Sequence, residues 1–205
     1  MTLRLIETEQ PAALRARIAT LEKENERLRA ESTLDPLTGL LNRRGFDLEL
    51  ARALDFSDRQ CGRVALIALD LDGMKQLNDQ FGHPVGDEAL ERVGGWISQE
   101  LRSSDRGARF GGDEFAIILP ATSLVGAQHL AERLRQNIGA IRLSTGTQIT
   151  SSIGIACHPG PGTKVSRDEL YARADAALYA SKRAGRNCVS VESDGPGIAL
   201  RSAAR

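Results

Sequence analysis

The chain of 205 residues is long enough for one sizeable domain and an appendage. Hydrophobic residues make up 41% and aromatic residues only 4%, so we expect a packed core built mainly of Leu, Ile, Val and Ala. Lys plus Arg and Asp plus Glu balance at 27 each, which excludes a global field that would attract nucleic acid or an anionic membrane surface.

The N-terminal part, 1–32, predicts a helix, because residues 12–32 follow Pro11 and are rich in Ala, Arg, Glu and Leu. The positions with the four-three spacing of a heptad repeat are Leu14, Ile18, Leu21, Asn25 and Leu28. In a parallel coiled-coil dimer, Asn25 would be the buried polar residue that fixes the register. An amphipathic helix packed on its own domain fits the same pattern, since fewer than three heptads are present. We interpret the segment as a coiled-coil helix that forms a homodimer or carries signals.

From residue 33 onward, helical and strand patterns alternate. A new helix is expected over about 42–53, followed by a loop at 55–62. The continuous apolar run at 64–69 is typical of a central strand buried on both faces, and it delivers Asp70 and Asp72 to its carboxyl end. The remaining elements are expected as helical turns at 74–80, a loop at 81–86, a helix at 87–101, a hairpin around 107–119, a helix at 123–138, a strand at 147–156, a helix at 167–184 and a strand at 187–191.

Helices packed on a sheet that includes a hairpin indicate a ferredoxin-like α+β sandwich over residues 33–192, with a central, mostly antiparallel sheet. The tail, 193–205, contains mainly Gly, Pro, Ser, Ala and Arg and is expected to be disordered. The three cysteines lack metal-like spacing, which indicates free thiols in a reducing compartment. No apolar run approaches the roughly 20 residues of a bilayer span, so we expect a cytoplasmic protein without a membrane segment.

Acidic residues lie at two places that a sheet could bring together. Asp70 ends the buried strand, and Gly111-Gly112-Asp113-Glu114 forms the predicted hairpin turn, where glycine reaches positive φ without a Cβ clash. If strand and hairpin are neighbours, Asp70 and Asp113 can reach one hard divalent cation such as Mg²⁺. A single acidic residue at a strand end usually faces water, but the pair beside a Gly-Gly turn favours a metal site.

Two groups of polar residues would suit a nucleotide. Lys182 and Arg186, four residues apart in a predicted helix, would share one face and clamp phosphate oxygens. Cations near a helix C-terminus are, however, ordinarily solvated partners of the helix dipole. Asn78 and Asp87 flank a glycine-containing loop, and an Asp carboxylate beside an Asn amide suits guanine better than adenine. His83 in the same loop could assist, although a lone loop histidine is more often incidental.

Six stretches form a joint signature in the order 35–44, 70–75, 78–87, 111–115, 152–156 and 174–187. The fourth reads Gly111-Gly112-Asp113-Glu114-Phe115. With this set, which covers about 33–191, the chain resembles the GGDEF family of diguanylate cyclases. One departure is Met74, where the family usually has Phe, and this soft apolar replacement affects little beyond local packing.

The resemblance implies a nucleotide-cyclase-type fold and condensation of two GTP into cyclic di-GMP and two pyrophosphates, in a dimer with one GTP per domain. The implied ligands of Mg²⁺ or Mn²⁺ are Asp70, the backbone carbonyl of Leu71, and Asp113. The implied GTP-binding residues are Asn78, His83 and Asp87 at the guanosine, Lys75, Lys182 and Arg186 at the phosphates, and Gly111 and Gly112 in the turn. The implied catalytic residues are Asp113, which would activate the 3′-hydroxyl, Lys75 and Glu114.

Arg102 and Asp105 precede the signature by five residues and resemble the family's RxxD site, where the product cyclic di-GMP inhibits. A surface ion pair at a helix end fits the same two residues. Two other functions stay open. One is a catalytically silent module that binds GTP or cyclic di-GMP and regulates a partner; the other is a helical-dimer scaffold, which explains only residues 12–32. The intact Asp70, Asp113 and Lys182 favour the enzyme.

Overall fold

The computed structural model describes residues 13–24, 32–60, 62–158, 160 and 163–192. The chain divides into two compact units, Met1–Ser32 and Thr33–Arg205. In the first unit, helix α1 spans 13–24, and three of the predicted heptad positions on it are exposed: Leu14, Ile18 and Leu21. The other two heptad positions, Asn25 and Leu28, and the tail at 193–205 lie outside the described residues.

The second unit contains five further helices and five strands within the described ranges. The helices are α2 at Arg43–Gln60, α3 at Met74–Phe81, α4 at His83–Glu100, α5 at Leu124–Ala140 and α6 at Arg167–Arg183. The strands are β1 at Val64–Asp72, β2 at Arg106–Arg109, β3 at Glu114–Pro120, β4 at Thr150–Cys157 and β5 at Val189–Val191. None of the helices in the described ranges combines the length and the apolar character that crossing a membrane requires.

The strands form one sheet in the order β2-β3-β1-β4-β5. All neighbouring pairs are antiparallel except β4 and β5, which are parallel. This confirms the predicted α+β sandwich with a mostly antiparallel sheet. The strand β1 lies in the centre, and its end is flanked on both sides, because Asp70 pairs with Glu114 of β3 and with Ser152 of β4.

Alternate side chains of β1 enter two separate apolar cores, as predicted for a strand buried on both faces. Ala65, Ile67 and Leu69 pack in the core that contains residues of α3, α4 and α5. Leu66 and Ala68 pack in the core that contains residues of α2 and α6. The even-numbered side chains of the strand therefore face α2 and α6, which determines the direction of the acidic residues that follow.

Two predicted loops are wrong. The segment 55–62 was expected to be a loop, but α2 continues to Gln60, because Leu54 and Ser57 extend its buried stripe. The segment 81–86 was also expected to be a loop, but α4 begins at His83, with Pro84 in its first turn, where proline is well tolerated. Only Gly82, with φ of +84°, separates α3 from α4.

Candidate active site

The hairpin formed by β2 and β3 lies beside the end of β1, as the metal-site prediction requires. Besides the Asp70–Glu114 register, the backbone N–H of Leu71 donates to the carbonyl oxygen of Asp113 at 3.1 Å. The turn that carries Gly111 and Asp113 is therefore attached directly to the acidic strand end. The two acidic segments are 43 residues apart in sequence and adjacent in the sheet.

The Asp70 carboxylate is only partly compensated by positive charge. Its Oδ2 accepts a hydrogen bond from the Lys182 ammonium at 2.7 Å, and the Asp70 side chain is only 13% exposed. Burial raises the pKa of Asp70; Lys182 offsets part of this rise, and the nearby carboxylates of Asp113 and Glu114 add to it. Three carboxylates near one ammonium form a site that a divalent cation would neutralise.

The donor set fits a hard cation that also binds a ligand. Within the described ranges, His, Cys, Asp and Glu side chains do not form a metal-binding group of three or more, so the candidate set contains only two carboxylates and a backbone carbonyl. Asp70 and Asp113 with the Leu71 carbonyl offer oxygen ligands only, which suits Mg²⁺ or Mn²⁺. The remaining coordination positions would be filled by water and by oxygens of a phosphate-bearing ligand.

An arginine that the sequence reasoning left without a role holds the hairpin turn. Arg109 donates to the carbonyl oxygen of Gly112 from Nε at 3.1 Å and from Nη2 at 2.8 Å. Its Nη1 lies 3.3 Å from Oδ2 of Asp35. Burial raises the pKa of Asp35, but hydrogen bonds from Thr38 and Arg109 outweigh burial, so the pKa is lowered overall. The contact joins residues 74 positions apart, which no local pattern signals.

The predicted guanine pair lies on two successive helices, with Asn78 on α3 and Asp87 on α4. The Asn78 Oδ1 atom is buried, and no group in the described part of the chain hydrogen-bonds it. Gly86 packs against this amide so closely that a Cβ at position 86 would lie 2.0 Å from Oδ1. Lys75 and His83 are exposed on the same two helices. A buried acceptor without a partner in the described chain is one that a bound water or ligand group would satisfy.

The expected shared helical face of Lys182 and Arg186 is wrong, although both residues lie near the end of β1. Lys182 lies in the last turn of α6, but the helix ends at Arg183. Arg186 follows in a turn with φ of +63°, so the two cations do not share a helical face. They are instead brought together by the sheet, because Lys182 contacts Asp70 and the Arg186 Nε lies 4.0 Å from Oδ1 of Asp72.

Arg102 and Asp105 lie at one cavity of about 220 Å³, and α5 adds Arg133 to its lining. Asp105 is 9% exposed, and its carboxylate accepts hydrogen bonds from the Arg102 backbone N–H and the Ser104 hydroxyl, both at 3.1 Å. The Arg102 side chain is exposed beside this fixed carboxylate. Arg133, 28 residues after Asp105, has no role in the sequence prediction, and its guanidinium donates to the Glu100 carboxylate at 2.8 and 3.0 Å.

Comparison with known proteins gives one consistent match. The family profile described as "Diguanylate cyclase, GGDEF domain" matches residues 32–188. The chain is 40% identical over 166 residues to diguanylate cyclase DgcP of Pseudomonas aeruginosa, covering 80% of this chain and 24% of that protein. It is 36% identical over 171 residues to the probable diguanylate cyclase DgcC of Escherichia coli K12, covering 83% of this chain and 46% of that protein. The chain thus spans less than half the length of these relatives.

Solved structures show the same likeness. The coiled coil and GGDEF domain of DgcB from Caulobacter crescentus, in complex with cyclic di-GMP, matches with a TM-score of 0.74 and 35% identity. This match covers 89% of the present chain and 97% of that one. The active GGEEF domain of a diguanylate cyclase from Vibrio cholerae matches with a TM-score of 0.72 and 30% identity, covering 76% of the present chain and 99% of that one.

Proposed function

The chain belongs to the GGDEF family of diguanylate cyclases, and from this premise we propose that it condenses two GTP into cyclic di-GMP with release of two pyrophosphates. The observation that carries the proposal is the group formed by Asp70, Asp113, Glu114 and Lys182. It places three carboxylates and one ammonium where two neighbouring strands meet. Such a group suits a metal ion and the triphosphate of a nucleotide together.

Asn78, His83 and Asp87 bind the guanosine in this proposal. The buried Asn78 Oδ1 accepts a hydrogen bond from the base, and the exposed Asp87 carboxylate accepts the guanine N1–H and N2–H. Adenine lacks these two donors, so its binding would leave both acceptors unpaired. His83, at the start of α4, lies against the nucleoside from the same helix.

Lys75, Lys182 and Arg186 bind the triphosphate. Lysine and arginine neutralise the phosphate oxygens, and the absence of side chains at Gly111 and Gly112 lets the nucleotide lie close to the hairpin backbone. The phosphates also offer Lys182 a partner other than Asp70. The Asp70 carboxylate is then available to bind a cation.

Asp70, Asp113 and the Leu71 carbonyl would hold Mg²⁺ or Mn²⁺. When bound, the metal supplies Lewis-acid stabilisation of the charge on the reacting phosphate. Asp113 accepts the proton of the 3′-hydroxyl, whose oxygen forms a bond to the α-phosphorus of the other GTP as the bond to pyrophosphate breaks. Glu114, which lies opposite Asp70 in the strand register, adds negative charge beside the residues that would hold the metal.

Dimerisation follows from the reaction, because the hydroxyl and the α-phosphorus belong to two nucleotides held by two domains. The predicted coiled coil around α1 supplies the dimer, and the three heptad side chains on the described helix are exposed. The DgcB structure joins a coiled coil to a GGDEF domain, which supports this arrangement. Positioning of two bound nucleotides is the main contribution such a site can make.

Product inhibition through Arg102 and Asp105 completes the proposal. A fixed buried carboxylate beside exposed guanidinium groups, in one cavity with Arg133, suits the guanine and phosphate groups of cyclic di-GMP. The complex of DgcB with cyclic di-GMP shows that a related domain binds this product.

The test is incubation of the purified chain with GTP and Mg²⁺, followed by chromatographic separation of nucleotides. We expect cyclic di-GMP and pyrophosphate in a ratio of one to two, and no product when Mg²⁺ is chelated. Tight GTP or cyclic di-GMP binding without turnover would instead establish the silent regulatory module. Equal consumption of ATP would contradict the guanosine assignment.

A further inference from the structure

Three consecutive residues after α6 adopt left-handed backbone conformations. Gly185, Arg186 and Asn187 have φ values of +110°, +63° and +45°. Glycine adopts such values freely and Asn tolerates them, whereas Arg carries a Cβ that is crowded there. A turn of this kind persists only where its surroundings hold it, and it often marks a functional segment.

The turn is more elaborate than ending the helix requires. The glycine at 185 already ends α6, and the N–H of Arg186 donates to the Ser181 carbonyl at 3.1 Å, as in a common helix C-terminal motif. Continuing left-handed through Arg186 and Asn187 is not needed for that purpose. The additional bend places Arg186 near the acidic end of β1.

Asp72 holds the turn from the sheet. Its Oδ2 accepts a hydrogen bond from the Asn187 backbone N–H at 3.1 Å. The carboxylate is itself fixed, because the hydroxyls of Thr150 and Ser152 on β4 donate to its two oxygens at 2.8 and 2.7 Å. With a side chain that is 7% exposed, Asp72 is a rigid anchor rather than a solvated charge.

Arg135 of α5 holds the turn from the other side. Its Nη1 donates to Oδ1 of Asn187 at 2.8 Å and to the Asn187 carbonyl at 3.3 Å. Its Nε and Nη2 donate to the two carboxylate oxygens of Glu132 at 2.9 and 2.6 Å, so the guanidinium is fixed. Both the backbone and the side chain of Asn187 are therefore held.

We propose that Asp72 and Arg135 are positioning residues, which hold the 185–187 turn so that Arg186 meets the phosphates of GTP beside Lys182. The inference rests on the proposed function, because it takes the phosphate contact of Arg186 from there. The Arg186 side chain is 63% exposed and can change conformation, so Asp72 and Arg135 control the position of the Arg186 backbone from which the side chain extends. If the Arg186 backbone is displaced, a smaller fraction of the side-chain conformers reaches the phosphates.

The test measures binding of 3′-deoxy-GTP, which cannot condense, by calorimetry in Mg²⁺. The variants are Arg135→Ala, Arg186→Ala and the double variant. The matched control is Gln136→Ala, because Gln136 also donates to Glu132 but does not contact the turn. A second variant, Arg135→Lys, keeps the charge and loses the fork of donors, which separates positioning from long-range electrostatics.

We expect Arg186→Ala to weaken binding about tenfold and Arg135→Ala about three- to fivefold, while Gln136→Ala binds like wild type. Arg135→Lys should resemble Arg135→Ala, and the KM for GTP should rise more than kcat falls. The double variant should bind no more weakly than Arg186→Ala, because Arg135 acts through Arg186. Melting temperatures should agree between Arg135→Ala and Gln136→Ala.

Several outcomes would overturn the proposal in distinguishable ways. Wild-type binding by Arg135→Ala alongside weakened binding by Arg186→Ala would remove the positioning role and leave the proposed function intact. Losses that multiply in the double variant would show that Arg135 acts elsewhere. Unchanged binding by Arg186→Ala would overturn both the phosphate contact and the inference built on it.

Discussion

Replacing Gly86 with Ala should separate nucleotide binding from folding. The glycine lies in α4, and a Cβ there would lie 2.0 Å from Oδ1, 3.0 Å from Cγ and 3.3 Å from Nδ2 of Asn78. The amide must move by about 1 Å or more to restore normal contact distances. The group that moves is the end of a side chain, so the fold can absorb the change, whereas the base contact cannot.

The expected change in stability is small because two effects oppose each other. Ala is favoured over Gly inside a helix by about 0.8–1 kcal/mol. Forcing Asn78 away from its rotamer costs about 0.5–1.5 kcal/mol. The melting temperature should therefore shift by no more than about 4 °C. Losing a base hydrogen bond and leaving a polar group unpaired costs about 1–3 kcal/mol, which weakens binding roughly 5- to 150-fold.

Calorimetric titration with 3′-deoxy-GTP and with ATP, together with thermal unfolding, would check this. Gly95→Ala in the same helix is the matched control, because no atom lies within 4 Å of a Cβ at that position. That variant should gain stability and bind normally, whereas Gly86→Ala should bind the guanine nucleotide more weakly and lose the part of its preference over ATP that Asn78 supplies. Equal GTP affinities for the two alanine variants would refute the role of Asn78.

Three other substitutions test the remaining parts of the site. Asp113→Ala should lower the rate of GTP consumption by about 10²-fold or more without shifting the melting curve, because it removes the proposed proton acceptor and metal ligand from a turn. Asp70→Asn should raise the melting temperature at pH 7, with a gain that shrinks as the pH falls towards the ordinary carboxyl pKa of 3.8. Arg102→Ala should raise the inhibition constant of cyclic di-GMP about tenfold and leave the uninhibited rate unchanged, as initial-rate assays would show.

The sign of the Asp70 prediction follows from linkage. Burial raises the pKa of Asp70 in the folded chain above its value in the unfolded chain. The contribution of Asp70 to the free energy of unfolding is therefore greatest below the unfolded-state pKa and falls as the pH rises through the folded-state pKa. At neutral pH the charged carboxylate thus destabilises the fold, and the neutral amide removes that cost. A lower melting temperature for Asp70→Asn at pH 7 would contradict this account. For the other two, near-normal turnover by Asp113→Ala, or identical inhibition curves for Arg102→Ala and wild type, would refute the assigned roles.

What the sequence predicted best are features encoded over short ranges. The buried strand β1 is signalled by a continuous apolar run, and the β2–β3 hairpin by two β-prone runs around a Gly-Gly turn. Local patterns failed where the chain packs helix against helix. The α3–α4 junction was assigned to a loop because Gly82 and Gly86 are typical of loops, yet Gly86 lies inside α4 to make room for Asn78.

The contacts that hold the site are mostly long-range and left no trace in the pattern. Asn187 bonds Asp72 across 115 positions and Arg135 across 52. The i, i+4 spacing of Lys182 and Arg186 was taken for a shared helical face, and the left-handed turn at 185–187 overrides it. A sequence shows which charges are present, but which charges meet depends on the strand order, and the pattern alone did not give that order.

The location of the cavity at Arg102 and Asp105 indicates how inhibition would reach the chemistry under the proposed function. Asp105 directly precedes β2, which pairs with β3, and the Asp113 turn lies between these two strands. A ligand at Asp105 is thus separated from the turn by the length of β2 and does not have to touch the metal ligands. Since condensation needs two domains face to face, a dinucleotide that bridges this cavity to a second domain would hold the two GTP molecules apart. Inhibition of this kind changes kcat rather than the affinity for GTP, so it persists at saturating substrate.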